Sequence, residues 1–565
     1  MAPPPEMRLW ITWSELTGGP RLTLDEFQNA LKQFPRGALL IAVARLSILY
    51  NYGQDANTVP SDDVTSWVVP LMFSRSLVPR VQQAINLKRV IFFQGQLRRI
   101  AAETMRLTNA HPEDGSIIPD VALGGLQLGA GELLYRPHVK VTEELDVMAN
   151  LVADFLPTYE IDALNDGFIL FLRCYIYLTV IIPRMPKELV TFDIWRLFER
   201  VFGFPLKLYY LFLYAFSVHA INERNALKVG DIPPHGGIHI SWFDKNTVLT
   251  RTQVHAMFNT VSCSLSSLPD RKPVKGYADC EYLRDHPYFR HDDHLYCLDY
   301  EFAGSKLESG VLWRIRETMD KKTRLAYFGF WGDVFEEYVA WLFENYPDKS
   351  KNEFHRSPRY LNTKEKHPIC DAIVICGTTA VLIEAKLGTC AADVRYSGDH
   401  VKFRKFLEEK LVVGTDRRIG VSQLVKAINN ITSMPKENLP EWLRETKRFI
   451  PLVVTKDDIG SSWMTTAYLN ARFKQLLGTE KIDIGLVTPL LGMSVATLER
   501  AVYALTESAL SDILDDRIKE DPQLGRPFEA ASTYIHRGTP RRMSKHVEIL
   551  HVLAQELEKD FQLKG

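Results

Sequence analysis

The chain has 565 residues, more than one hydrophobic core usually organises, so several compact units are expected. Its 68 Lys and Arg stand against 69 Asp and Glu, which excludes a protein that coats nucleic acid by bulk charge; any such surface must be a local patch. With 46% hydrophobic and 24% charged residues, the composition also excludes the disordered and fibrous classes.

From the N-terminus, the opening MAPPPEMRLW lacks the basic-then-apolar pattern of a secretory signal. Residues 1–265 read as a mainly helical region of unknown role. Asp25 to Phe34 is a helix with Thr23 as its N-cap, and Val81 to Leu107 reads as one long amphipathic helix. Two apolar runs, Phe168 to Ile182 and Leu208 to Ile221, fall short of the roughly 18–20 residues that cross a bilayer, so both are expected to be buried helices. Seven scattered cysteines without a close CxxC pair suggest reduced thiols in a cytoplasmic protein.

Residues 266–320 form a β-containing lead-in followed by a helix. HPYFRHDDHLYCLDYEF reads as two short strands around a turn at Asp292-Asp293. Cys280, His286, His291, His294 and Cys297 in this stretch offer zinc ligands, but only His294 and Cys297 have the tight spacing such sites use. A helix from near Lys306 towards Asp320 follows, then a second from about Trp331 to Asn345. Residues 321–500 take on α/β texture, with strands at 368–376 and 380–386, a helix near 421–432, and strand-like runs at Phe449–Thr455 and Ile482–Val487. Ser494 then starts a helix, and 501–565 reads as a helical, partly basic extension.

The chemistry concentrates in PICDAIVICGTTAVLIEAKLG. Strand side chains alternate between faces, so Glu384 and Lys386 share one face. If the two strands pair as a hairpin, Asp371 meets Glu384 across it. Two adjacent carboxylates at the edge of an apolar sheet repel each other and resist burial, and a hard divalent cation relieves both problems. The competing reading is an ordinary capping Asp with a surface Glu-Lys pair.

The pattern Asp371, twelve residues, Glu384-Ala385-Lys386 resembles the PD-(D/E)XK nucleases, whose core is a mixed sheet flanked by helices. The resemblance covers roughly residues 300–500 and implies an α/β, restriction-endonuclease-like domain there, so the chain reads as multidomain, with the mainly α-helical N-terminal half preceding that domain. It further implies Mg²⁺ (or Mn²⁺) held by Asp371 and Glu384, Lys386 as catalytic lysine, a third acid on an upstream helix, and a polar residue, often Gln, on the helix after the lysine strand. Gln423 occupies that last place. For the third acid, Phe335, Tyr338, Val339 and Leu342 make an apolar stripe; Glu336 borders it about 100° from Phe335, whereas Glu337 is expected to face solvent. Cys370 stands where the family has proline.

The implied activity is hydrolysis of phosphodiesters, DNA ahead of RNA. The basic set Lys402, Arg404, Lys405, Arg417 and Arg418, between the lysine strand and Gln423, is the expected phosphate-contacting surface. The alternative is a catalytically inactive module of the same fold that binds nucleic acid or a partner. The order of elements also resembles C-terminal nuclease domains of large prokaryotic antiviral-defence proteins. By that architectural analogy a second copy of the chain, or a component of a defence complex, is a further partner.

Overall fold

The computed structural model describes residues 10–51, 62–87, 89–107, 117–134, 167–210, 212–213, 237–245, 250–268, 280–362, 368–414, 420–460, 462–478 and 486–520, with isolated positions between 145–153 and 548–555. It is mostly helical, with two mixed sheets in its C-terminal part. Among the described residues no helix is long and apolar enough to cross a membrane. All seven cysteines are buried free thiols.

The N-terminal helices close around their own core. Helix α1 (Leu24–Leu31) begins at Thr23, whose hydroxyl accepts from Glu26 N–H while the Glu26 carboxylate takes the Thr23 N–H, a reciprocal cap. The expected single helix from Val81 to Leu107 is in fact two. A helix over Val78–Asn86 stops, Val90 pairs as a β-bridge with Trp10, and α2 (Gln94–Arg106) then starts. The break lets Ile91 and Phe92 turn into the core beside Tyr50 and Phe73, burying apolar surface that a continuous helix would hold apart.

The first apolar run forms α3 (Gly167–Ile176), continued by a π-turn over Tyr177–Ile181 and a short turn to Arg184, and its described side chains are largely buried. The second run is described only as far as residue 213 and is helical there. The residues 172–213 lend side chains to the core beneath the larger sheet.

The smaller sheet has the order β1-β4-β3-β2, from β1 (Gly237–His239), β2 (Ser262–Ser264), β3 (Tyr288–His291) and β4 (His294–Cys297). Its β3-β4 hairpin turns at Asp292-Asp293 as expected, with Asp292 at φ 49. Alternation sends Phe289 and Tyr296 to the N-terminal core, and Tyr288, Leu295 and Cys297 to the opposite one. This alternation bears on the zinc candidates. Cys280 joins the first core and Cys297 the second, and among the described residues no three His, Cys, Asp or Glu side chains gather at metal-ligating spacing.

The larger sheet runs β5-β6-β7-β8-β9 in sequence order: Glu353–Arg356, Ala372–Cys376, Thr379–Lys386, Arg448–Thr455 and Leu491–Ser494. β6 runs antiparallel to both of its neighbours, β5 and β7; β8 and β9 run parallel to β7. Helices cover both faces. Val374, Val381, Ile383 and Leu452 pack with α4 (Lys321–Asn345), which starts ten residues earlier than expected because Asp320 caps it. Ile373, Leu382 and Val453 pack with α6 (Gly420–Ser433) and, before it, α5 (His400–Leu407). Gly420 has φ +50, and a Cβ there would lie 2.0 Å from the Leu411 carbonyl oxygen, so only glycine lets α6 start there. The expected strand at Ile482–Val487 lies mostly outside the described residues; Val487 makes a bridge to Phe449, and the edge strand is β9, which leads into α7 (Val495–Ala504).

Candidate active site

Strand β7 is apolar on both faces because helices cover both, and six of its eight residues are buried. A glutamate inside such a strand conflicts with its surroundings, since a carboxylate resists burial without partners. Glu384 is nonetheless 0% exposed.

The hairpin places its partner. β6 and β7 pair with Ala372 opposite Ile383 and join through Gly377-Thr378, where Gly377 takes φ +61 at the first turn position. One step further along the ladder, Asp371 comes opposite Glu384. Asp371 ends β6 with its side chain: Oδ2 accepts the Ala385 N–H at 2.9 Å and also lies 2.9 Å from Lys386 Nζ. Lys386 Nζ is 2.7 Å from Glu384 Oε2. The lysine therefore bridges both carboxylates.

The two acids are served unequally. Asp371 accepts aligned hydrogen bonds. Among the described residues, Glu384 has the ion-pair contact with Lys386, and neither of its oxygens has an aligned hydrogen-bond donor. Burial raises the Glu384 carboxyl well above its usual range; Asp371 and then Glu336 add to this, and Lys386 opposes it. For Lys386, burial disfavours the ammonium, but Glu384, Asp371 and Glu336 outweigh that and hold it charged beyond the ordinary lysine range. Lys386 is thus a fixed cation across neutral and mildly alkaline pH.

Glu336 and Glu337 divide differently from the expectation. Phe335, Tyr338, Val339 and Leu342 are buried as the stripe required, and Glu336 is exposed but close enough for its charge to act on Glu384 and Lys386. Glu337, expected in solvent, is 2% exposed. Its carboxylate is held by Arg356, at the end of β5, and by Arg184, whose Nε lies 2.8 Å away. Helix α4 is covered on more than one side, so one hydrophobic stripe did not define its buried surface. The two arginines come from remote segments and gave no local signal at residue 337.

Gln423 is half-buried on α6, the helix that covers the sheet face shared by Leu382, Glu384 and Lys386. Lys402 and Lys405 are exposed on α5, and Lys405 lies 3.8 Å from Glu409. Arg404 is half-buried and acts on Tyr468. Arg417 and Arg418 lie outside the described residues.

A divalent cation can be tested against this donor set. Mg²⁺ is commonly held by one or two carboxylates together with substrate phosphates and water. Asp371 and Glu384 supply those carboxylates, and Glu384 brings two buried oxygens without aligned donors. Asp371 and Glu384 fit such an ion as a pair; Glu336 is near enough for its charge to act on Glu384, but among the described residues no three such side chains gather at metal-ligating spacing. No family model, curated protein or solved structure matches the chain.

Proposed function

We propose that the chain is a metal-dependent nuclease of the PD-(D/E)XK kind, hydrolysing phosphodiester bonds with Asp371, Glu384 and Lys386 at its centre. The observation that carries this is Glu384: a carboxylate wholly buried in an apolar strand, without aligned donors, beside a second carboxylate and a lysine held charged. Groups with such strong environmental conflict concentrate at functional sites. A mixed sheet with helices on both faces agrees with the restriction-endonuclease-like fold that the motif resembles.

Asp371 and Glu384 would hold Mg²⁺ or Mn²⁺, with Glu336 as a third acid at the rim. When bound, such an ion polarises a phosphoryl oxygen and makes water a better nucleophile near neutral pH. Lys386, kept as an ammonium, orients the attacking water and offsets charge building on the phosphate. Gln423 would orient groups at the same sheet face. DNA is the substrate we favour, with Lys402, Arg404 and Lys405 as phosphate contacts beside the site and Arg417 and Arg418 continuing the set in sequence. A role in prokaryotic antiviral defence, inside the cell, extends the same reading.

The test is incubation of purified protein with plasmid, single-stranded DNA and RNA, each with Mg²⁺, Mn²⁺ or EDTA. We expect cleavage with either metal and none in EDTA. Cleavage that persists in excess EDTA sinks the metal mechanism. Metal and nucleic-acid binding without any cleavage would make the chain a binding module instead.

A further inference from the structure

We propose that Arg356 and Glu337 are positioning residues that set the spacing between the third acid, Glu336, and the metal-binding Asp371; this rests on the nuclease reading above. The two acids sit on different elements, Glu336 on α4 and Asp371 at the start of β6, so something must hold those elements in register. Glu337 is the neighbour of Glu336. Its carboxylate takes both guanidinium NH groups of Arg356, with Oε1 3.0 Å from NH1 and Oε2 closer still to NH2. Arg356 is the last residue of β5 and pairs in register with Ala372, the neighbour of Asp371. The next residue, Ser357, donates its N–H to the Asp371 carbonyl at 2.9 Å. A short chain of contacts thus runs from Glu336 through Glu337, Arg356 and Ser357 to Asp371.

Two further features point the same way. Ser357 adopts φ 41, in the left-handed region that non-glycine residues avoid, and such conformations persist where surrounding contacts over-determine them. Glu337 is almost wholly buried, and burying a charge pair is a poor route to stability compared with packing apolar groups. What a bidentate arginine-carboxylate pair supplies in exchange is fixed geometry. Arg184, just after α3, holds the same carboxylate from the helical part of the chain.

The experiment compares wild type, Arg356→Lys, Arg356→Met, Glu336→Gln and the double variant Glu336→Gln with Arg356→Met. Arg356 is 42% exposed at its side chain, so its variants should fold, and melting curves check that. Mn²⁺ affinity is read by calorimetry and cleavage by kcat and KM separately. Supporting shells of metal sites typically contribute about 10- to 100-fold in metal affinity or activity. Arg356→Met should weaken Mn²⁺ affinity and kcat by roughly tenfold or more, with KM for DNA little changed. Arg356→Lys keeps the charge but loses the bidentate fork, and should recover only part of the loss. In the Glu336→Gln background, Arg356→Met should have little further effect on Mn²⁺ affinity, because its influence passes through Glu336. A purely structural role would lower the melting temperature and add to Glu336→Gln. Folded Arg356→Met with affinity and kcat within about twofold of wild type, or a fully additive double variant, overturns the positioning role while leaving the nuclease reading intact. A wild type that neither binds Mn²⁺ nor cleaves overturns both.

Discussion

Two buried clusters of charge lie side by side in this molecule, and they are built to opposite rules. The first joins Arg173 on α3, Glu499 on α7, Tyr338 on α4, Glu308 and Lys456. Glu499 meets Arg173 Nε and the Tyr338 hydroxyl at 2.6 Å through one oxygen, and Arg173 NH2 at 2.7 Å through the other. Glu308 faces Arg173 at 3.3 Å and Lys456 at 3.5 Å. Arg173 and Lys456 thus answer Glu499 and Glu308, with Asp457 3.9 Å from Lys456 at the cluster's edge, and both oxygens of Glu499 accept hydrogen bonds. The second cluster sets one cation, Lys386, against Asp371, Glu384 and the nearby Glu336, and leaves both oxygens of Glu384 without aligned donors. The two touch, since Lys456 N–H donates to the Lys386 carbonyl. Each cluster contains a deeply buried glutamate, Glu499 in the first and Glu384 in the second, so burial alone does not distinguish them. What distinguishes the second is that Asp371, Glu384 and Glu336 all act on the single cation Lys386.

If that contrast holds, the clusters should fail differently when broken. Removing Arg173 leaves Glu499 and Glu308 buried opposite too little positive charge. Burial opposes the Arg173 guanidinium, but Glu499 and Glu308 over-compensate and hold it above its usual range. Breaking such a pair from one side typically costs about 3–5 kcal/mol. Arg173→Met should therefore lower the unfolding free energy extrapolated from a urea titration by an amount of that order, while cleavage per folded molecule stays near wild type. A stability loss below about 1 kcal/mol would mean that the first cluster is not the closed structural unit described.

The site cluster should show the reverse. On the proposed reading, Asp371→Asn takes away a metal-binding carboxylate and relieves repulsion, so kcat should fall by at least about 10²–10³ while the fold survives. Melting curves with and without Mg²⁺ make the comparison: wild type gains from the metal and the variant does not. If Asp371→Asn still cuts, or gains as much from Mg²⁺ as wild type, the central assignment fails.

How much of this could be read from the amino-acid sequence depends on whether the signal was local. The hairpin and its three chemical residues were legible because an apolar run with helices on both faces makes a lone glutamate conspicuous, and because alternation ties Glu384 to Lys386. The Thr23 cap and the Asp292-Asp293 turn were local in the same sense. Glu337 was not, since its burial depends on Arg184 and Arg356 arriving from elsewhere. The Val81–Leu107 run looked like one helix because its periodicity carries no trace of the Trp10 bridge that breaks it. Strand β9 was missed because LGMS has little strand character. Gly492 serves close approach instead: a Cβ there would lie 2.8 Å from the Gly460 carbonyl oxygen.

Stability without metal separates the clusters more finely. Burial, then Asp371, raises the Glu384 carboxyl above its ordinary value of 4.5. For an acid shifted upward, the folded state holds its proton more tightly than the unfolded state. Its stabilising contribution is full below pH 4.5 and is lost as pH rises through the folded-state value. Glu384→Gln should therefore exceed wild type by on the order of 1 kcal/mol in EDTA at about pH 8, and the advantage should vanish near about pH 4. An advantage that is absent at the higher pH, or unchanged at the lower, would place Glu384 with the closed cluster rather than the open one.

The smallest effect concerns charge that is not buried at all. Lys402 and Lys405 stand exposed on α5, where water screens them, so neither should alter folding measurably. Their value, if they contact phosphates, lies in counterions released when nucleic acid binds. Each such contact steepens the fall of affinity with salt by about one unit in a log–log plot. Lys402→Ala should reduce that slope by about one and weaken binding uniformly across DNA sequences, with kcat at saturation unchanged. Lys405→Ala should do less, because Glu409 at 3.8 Å already answers part of its charge. Titrations of catalytically dead Asp371→Asn, with and without each substitution, over a series of salt concentrations measure this directly. Equal slopes for all three proteins would make α5 an ordinary solvated face, and the path of the nucleic acid would have to be sought on another side of the site.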